Sequence, residues 1–271
     1  MVLRDELNRY LAGLYEFEKY DDYCLNGLQV EGKEKIEKIV LGVSFNLLFL
    51  NGAIKRKADA LVVHHGFFGR DFFVLKGHRK NLVKLLLKHD ISLFGIHLPM
   101  DGHPRLGHNA RLFGAIGAPI TGPLGSGFRG KNVKNTPLEQ ILETFHHFLH
   151  EEDHHKDLYI DDGESGMHPL YSFTKAYGFG VFQNGPAVPQ HIAIVSGGGA
   201  GEYEHAVLNG IDTFICGELK EQVPAISYET ASNFIYLGHY NSEKPGIRAL
   251  KDHLGDTFPV ETEYIGFANV V

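Results

Sequence analysis

The sequence has few of the residues and segments that define several common classes of protein. It contains only two cysteines in 271 residues, Cys24 and Cys216, which is too few for a disulfide framework and fits a reducing compartment. No run approaches the ~20 apolar residues of a membrane helix. The first residues, MVLRDELNRYLAGL, lack the apolar stretch of a signal peptide. We therefore expect a cytoplasmic protein.

Several binding and catalytic motifs are missing as well. Neither a CxxC pair nor HExxH occurs, which argues against a structural zinc ribbon and a zincin-type protease. The net charge of -7 provides no basic face for nucleic acid. The glycine-rich segment at 196–206, SGGGAGEYEHA, matches neither GxGxxG nor GxxxxGK[ST]. A tight turn is favoured there over a phosphate cradle, which would imply a nucleotide or phosphoester substrate.

What the chain does contain is an alternation of apolar strands and amphipathic helices. After a helix at 3–17, strands are predicted at 38–45, 60–66 and 91–98, each followed by a helix. The same rhythm returns at 191–199, 212–218 and 233–240, and a last strand is predicted at 259–266. This alternation indicates parallel βαβ units.

The region between the two sets is predicted differently. The stretch at 118–135 is rich in glycine and proline and is predicted to be a loop or linker, followed by a helix at 137–151 and short strands near 158–160 and 177–182. We expect an α/β fold with two βαβ-based lobes, residues 1–120 plus 236–271 and residues 121–235. The two βα segments resemble each other, which is consistent with either an internal duplication or the general likeness of such units.

Histidines and carboxylates gather where the predicted strands end. In GIHLPMDGH and LGHYNSEKPG the same spacing recurs: His97 precedes Asp101, and His239 precedes Glu243, by four residues. His64 and His65 end a third apolar run, LVVHHG. Ligands bind at the carboxyl ends of parallel strands, and imidazole with carboxylate suits divalent metals such as Zn, Fe or Mn. We expect two ions, with a bridging water that acts as nucleophile.

Neighbouring side chains on a strand point to opposite faces. His64 and His65 can therefore serve one site only if the strand ends between them. Gly66 follows directly and could make such a turn by adopting a positive φ.

Two further features have open roles. Glu218 ends the predicted strand at 212–218 and is a candidate catalytic base or partner of a metal ligand, although it could equally cap the next helix. The His-rich segment at 146–155 would place His146, His150 and His154 on one helix face. A solvated helix end is favoured over a metal site for this segment.

These motifs resemble those of a known family. VVHHG, IHLPMDGHPRLGHN and LGHYNSEKPG, with NGLQVEG near the start, are similar to the NIF-three-like (YbgI-type) dinuclear metal centre proteins, often labelled type 2 GTP cyclohydrolase I. The resemblance implies two α/β lobes with a metal site in the cleft between them. It implies ligands at six positions: His64, His65, His97, Asp101, His239 and Glu243. It also implies a homohexamer built as a trimer of dimers.

Two functions follow from the residues and the resemblance. The first is a metal-dependent hydrolase of a small-molecule substrate, which for this family would be a nucleotide such as GTP, with Glu218 as catalytic base. The alternative is a non-enzymatic, metal-binding hexameric scaffold or regulator that binds a protein or nucleic-acid partner. The acidic net charge argues against nucleic acid.

Overall fold

A computed structural model describes residues 1–67, 74–150, 173–176 and 178–267. It divides the chain into two compact units: Met1–Gly107 with Gly246–Gly266, and His108–Pro245 with Phe267–Val271. We call these the first and second unit. Each contains its own sheet and helices, so the predicted α/β class is confirmed. The predicted lobe boundaries, the cleft and the duplication stay predictions.

The elements are numbered in chain order. The strands are β1 (Val2–Leu3), β2 (Gly27–Val30), β3 (Lys35–Ile36), β4 (Lys38–Ser44), β5 (Ala60–His65), β6 (Ser92–Gly95), β7 (Ile120–Leu124), β8 (Gly127–Lys131), β9 (Phe173–Ala176), β10 (Phe179–Gln183), β11 (His191–Val195), β12 (Thr213–Cys216), β13 (Asn233–Tyr236) and β14 (Glu261–Tyr264). The helices are α1 (Arg4–Tyr15), α2 (Leu47–Lys55), α3 (Gly77–His89), α4 (Leu98–Asp101), α5 (His108–Ile116), α6 (Leu138–His150), α7 (Tyr203–Leu208), α8 (Val223–Glu229), α9 (His239–Ser242) and α10 (Lys244–Thr257).

The first unit is built on a five-stranded sheet in the order β14-β4-β5-β6-β2. Its first three pairings are parallel, and β2 is antiparallel to β6. β4 and β5 are buried along almost their whole length, as expected for parallel strands covered on both faces. The register sets Val63 beside both Gly42 and Gly95, so β4, β5 and β6 end at one edge of the sheet.

The second unit is built on a seven-stranded sheet in the order β7-β8-β11-β12-β13-β10-β9. Its centre, β11-β12-β13, is parallel, and the other pairings are antiparallel. Helices α5 and α6 cover one face in an apolar cluster that includes Phe113, Phe145 and Ile215. Tyr203, Phe214 and Phe234 pack in the cluster on the other face.

Both sheets share one arrangement of strands. In the first, three parallel strands in chain order (β4, β5, β6) are flanked by the earlier strand β2, antiparallel to β6. In the second, β11, β12 and β13 are flanked in the same way by the earlier strand β10, antiparallel to β13. The two sets of strand ends that carry the candidate ligands therefore stand in the same topological position in each unit.

Two sequence predictions are wrong. The glycine-rich stretch at 118–135 is not simply a loop: Ile120 pairs with Gly130 and Leu124 with Gly127, forming the antiparallel hairpin β7-β8. Its glycines sit where space is lacking, since a Cβ on Gly130 would lie 2.5 Å from the Phe113 ring. The segment NGLQVEG, in which no strand was predicted, contains β2, which pairs with β6.

The other elements that were predicted lie close to their predicted positions. The strand predicted near 158–160 lies outside the described residues. Cys24 and Cys216 are both buried and free. Among the residues that the structure describes, no helix combines the length and apolar character needed to cross a membrane.

Candidate metal centre

Three of the candidate ligands lie together in the first unit. His64, His65 and His97 each offer a ring nitrogen within 4.8 Å of the others. The ring centroids of His64 and His65 are 4.5 Å apart, and those of His64 and His97 are 5.0 Å apart. Zinc–nitrogen bonds of about 2.0–2.1 Å would draw such nitrogens together with small side-chain movements. The cluster could therefore hold a metal ion.

Each of these histidines uses Nδ1 for a contact within the protein. Nδ1 of His64 lies 2.9 Å from the carbonyl oxygen of Ile96, and Nδ1 of His65 lies 3.1 Å from Ser44 Oγ. A carbonyl can only accept, so His64 carries its proton on Nδ1. Nε2 is then the nitrogen with a lone pair for a metal, which is the usual arrangement of a metal-binding histidine.

The third histidine, His97, is held by a buried carboxylate that the sequence did not suggest. Asp22 Oδ1 accepts from His97 Nδ1 at 2.9 Å, and Oδ2 accepts from the Leu98 amide at 2.9 Å. The Cys24 amide and the Asn26 side chain also donate to this carboxylate. Burial alone raises the pKa of Asp22, but these hydrogen bonds outweigh it and lower the pKa to about 2. Asp22 is therefore ionised at neutral pH.

A single helical turn explains the spacing between His97 and Asp101. His97 precedes the four-residue helix α4, and Asp101 is its last residue. Residues four apart share a helix face, and Asp101 Oδ2 lies 3.8 Å from Nε2 of His64. Both side chains are buried. The first unit therefore gathers three imidazoles and one carboxylate at the carboxyl ends of β5 and β6.

The second unit contains the other His–carboxylate pair. His239 opens the one-turn helix α9 and Glu243 follows its last residue. His239 Nε2 lies 3.0 Å from Glu243 Oε1. On the other side of the ring, Nδ1 lies 2.6 Å from Glu218 Oε1. The hydrogen bond to Glu243 raises the pKa of His239 to about 9, against burial, with help from the charge of Glu243 and from Glu218.

The glycine-rich turn after β11 makes room for these side chains. Gly197 has a φ of 60°, which L side chains rarely adopt. A Cβ there would meet the Glu243 carboxylate and would lie 3.2 Å from His239 Nε2. Ser242 joins the turn to α9, because its hydroxyl accepts from the Gly197 amide at 3.0 Å and donates to the His239 carbonyl at 2.8 Å. Because Gly197 has no side chain, the Glu243 carboxylate and the His239 ring can approach the backbone closely.

The two units thus build their candidate ligands in the same way. A parallel strand ends, a one-turn helix follows, and a histidine and a carboxylate stand four residues apart on that turn. In both cases a second carboxylate, Asp22 or Glu218, holds the histidine by Nδ1. This second carboxylate is the partner that metal-binding histidines commonly have.

Comparison with known proteins identifies the family. The family model described as Duf34/NIF3 (NGG1p interacting factor 3) matches residues 2–269. The chain belongs to the Duf34/NIF3 family. A protein of Yersinia pestis called GTP cyclohydrolase 1 type 2 homolog is 34% identical over 265 residues, which cover 97% of this chain and 98% of the relative. A protein of Escherichia coli strain K12 with the same name is 34% identical over 253 residues, covering 92% and 91%.

Solved structures of the family have the same fold. The protein ybgI, described as of unknown function, is 30% identical with a TM-score of 0.84, and the match covers 100% of both chains. A protein of Thermus thermophilus is 29% identical with a TM-score of 0.82, again over 100% of both chains. The resemblance inferred from the sequence motifs is therefore confirmed for this Duf34/NIF3 chain, which contains His/Asp/Glu clusters that could bind a metal.

One local explanation drawn from the sequence is wrong. Gly66 is not among the glycines with positive φ. Its side-chain position is filled instead by Gln29, whose amide a Cβ on Gly66 would overlap. His64 and His65 still reach one cluster, with their rings tilted by 49°. Glycine is needed at this position for space, not for a left-handed turn.

His103 and Asn109, which follow Asp101 in the chain, have local hydrogen-bond partners. His103 Nδ1 accepts from the amides of Arg105 and Leu106, which caps a turn. Asn109 ties two loops of the second unit, accepting from the Ser196 amide at 2.7 Å. In the His-rich segment, the His146 and His150 rings are 5.2 Å apart on α6, and residues 151–155 lie outside the described ranges.

Proposed function

We propose that this protein binds two divalent metal ions and uses them to hydrolyse a small molecule. The proposed ligands are His64, His65, His97, Asp101, His239 and Glu243. One observation carries the proposal: His64, His97 and His239 each have Nδ1 held by an oxygen acceptor, a carbonyl or a carboxylate. This fixes the ring and leaves Nε2 as the metal-binding nitrogen. Rings whose Nδ1 is held by a carbonyl or a carboxylate in this way are typical of metal ligands.

The donor set fits several metals. Four imidazoles with two carboxylates suit Zn, Fe or Mn better than Mg, which prefers oxygen ligands. When bound, such ions provide Lewis-acid activation of water for hydrolysis. The matched turns α4 and α9 support the proposal that both ligand sets bind metal. The name GTP cyclohydrolase 1 type 2 homolog, carried by relatives, suggests a nucleotide as the first substrate to test.

Glu218 contacts His239 and is also partly open to solvent. Oε1 holds His239 Nδ1 at 2.6 Å, while the side chain as a whole is 41% exposed. We propose that Glu218 positions His239 through Oε1 and that its other oxygen accepts a proton during hydrolysis. The variant Glu218→Gln can still accept from Nδ1 but cannot take up a proton. We expect it to keep the metal and lose hydrolysis, whereas Glu218→Ala should weaken both.

Elemental analysis tests the metal and a substrate screen tests the reaction. Protein reloaded with Zn, Mn or Fe should contain two ions per chain, and fewer than one would refute the dinuclear site. Loaded protein would then be screened against nucleotides, phosphoesters and cyclic amides. Glu243→Gln should abolish any hydrolysis found. Equal turnover by metal-free and loaded protein would refute the hydrolase.

The hexamer and the cytoplasmic location stay predictions. Light scattering during size-exclusion chromatography would measure the first. A scaffold without catalysis would behave differently from a hydrolase, because Glu243→Gln would leave its binding to a partner largely intact.

A further inference from the structure

A cavity in the first unit is lined in part by residues that directly follow the ligand His65 in the chain. It has a volume of about 400 Å³, within the ~300–1,000 Å³ range of small-molecule sites. Its wall includes Phe45, Gly66 and Phe67. Gly66 and Phe67 follow His65 in the chain, and Phe45 follows Ser44, which contacts His65 Nδ1 at 3.1 Å. The cavity wall and the ligand cluster therefore share the ends of the same two strands.

The cavity has an aromatic wall. The rings of Phe45 and Phe67 meet edge to face, with centroids 5.3 Å apart and planes at 76°. Both residues are only half-buried, so part of each remains accessible. Leu82, which is buried, adds apolar surface beside them. Aromatic faces and edges of this kind favour a planar ring as ligand.

Two hydrogen bonds from the Gln29 side chain hold the backbone of Phe67 in place. The Gln29 side chain accepts from the Phe67 amide at 2.7 Å and donates to the Phe67 carbonyl at 3.1 Å. Gln29 itself occupies the space that Gly66 and Gly95 leave by lacking a Cβ. The NGLQVEG motif, which contributes no metal ligand, thus fixes an aromatic wall next to the cluster.

The rim of the cavity is polar and positively charged. Asn46, His78, Arg79 and Asn81 are exposed there, and no acidic side chain is among the described residues that line it. Within the ranges that the structure describes, Arg79 forms no ion pair. An exposed guanidinium beside a small cavity suits an anionic group on a ligand.

We propose that this cavity is the substrate subsite of the metal centre and that it takes a planar heteroaromatic ring bearing an anionic group. The inference rests on the proposed function, since it assigns the cavity to the same reaction. The ring would lie against Phe45 and Phe67, and the anionic group would pair with Arg79. The bound molecule would then lie against residues that follow the end of β5, the strand whose last residue is His65.

Binding to metal-free protein separates this proposal from the metal site. GMP, AMP and nicotinate are the heteroaromatic anions; guanosine lacks the anion and ribose 5-phosphate lacks the ring. Dissociation constants would be measured by ligand-observed NMR without divalent ions. At least one heteroaromatic anion should bind about tenfold more tightly than ribose 5-phosphate. Failure of all three to bind would refute the subsite, whatever the metal content.

Matched variants locate the binding. Phe67→Leu should weaken binding of the heteroaromatic anion about tenfold, and the exposed Tyr228→Leu in the second unit should not change it. Arg79→Ala should weaken binding of the anion about tenfold but leave guanosine within twofold, while Lys80→Ala, the same charge change one residue away, should have no effect. Affinities within twofold of wild type for both Phe67→Leu and Arg79→Ala, in variants that melt like wild type, would overturn the proposal.

Discussion

Replacing Asp22 with asparagine tests whether the carboxylate behind His97 supports metal binding. Four donors converge on its two oxygens: His97 Nδ1 at 2.9 Å, the Leu98 amide at 2.9 Å, the Cys24 amide at 3.0 Å and Asn26 Nδ2 at 3.1 Å. An asparagine side chain has one oxygen and one NH2 group. Whichever way it turns, two of these donors face another donor.

The size of the effect follows from this geometry. Leaving a buried donor unsatisfied costs about 1–3 kcal/mol, so two such donors should lower the free energy of unfolding by about 2 kcal/mol or more. Mutations of residues that hold metal-binding histidines commonly weaken metal affinity by about 10–100-fold. We expect a loss in that range for Asp22→Asn. The effect should be constant between about pH 5 and pH 8, because the pKa of Asp22 is about 2.

Competition with a fluorescent zinc chelator would measure the affinity, and urea unfolding of metal-free protein would measure the stability. Asp21→Asn removes the same charge from the exposed neighbour and serves as the control. If Asp22→Asn binds zinc within twofold of wild type while His97→Ala loses it, the carboxylate does not support the ligand and the reasoning fails.

Three other changes should have measurable effects. In metal-free protein, Glu243 raises the pKa of His239 to about 9. The charged ring therefore stabilises the folded protein fully below about pH 6.5, and this stabilisation is lost as the pH rises through 9. Metal requires the neutral ring, so the increase in melting temperature on adding zinc should grow from pH 6.5 to pH 9; a constant increase would contradict this. Gly197→Ala should lower the free energy of unfolding by about 1–2 kcal/mol and reduce metal content, since φ is 60° and the Cβ meets Glu243. Burial raises the pKa of Asp59, but hydrogen bonds from Lys33 and two backbone amides have the larger, opposite effect, so the pKa is lowered. Asp59→Asn should therefore lower the free energy of unfolding by at most about 1 kcal/mol near pH 7. The difference from wild type in urea unfolding should vanish as the pH falls below about 4.

The pair formed by His239 and Glu243 illustrates what local sequence could predict. A histidine and a carboxylate four residues apart share one face of a helical turn, and the structure has such a turn at α9 and at α4. The strand before each turn was predicted too long, since β13 ends at Tyr236 and β6 at Gly95. Where a strand gives way to a single helical turn depends on contacts such as the Asn26 side chain accepting from the His97 amide at 2.7 Å, which local sequence does not encode.

By itself, the sequence determined the α/β class, the alternation of strands and helices along the chain, the family and the candidate metal-ligating residues, because hydrophobic periodicity and the spacing of ligands are local properties of the chain. Only the tertiary structure decided what holds those ligands. Asp22 is 75 residues from His97, Glu218 is 21 from His239, and Gln29 is 38 from Phe67. Such partners are brought together by strand pairing, as when β2 joins β6, and pairing between distant segments leaves no periodic trace in the sequence.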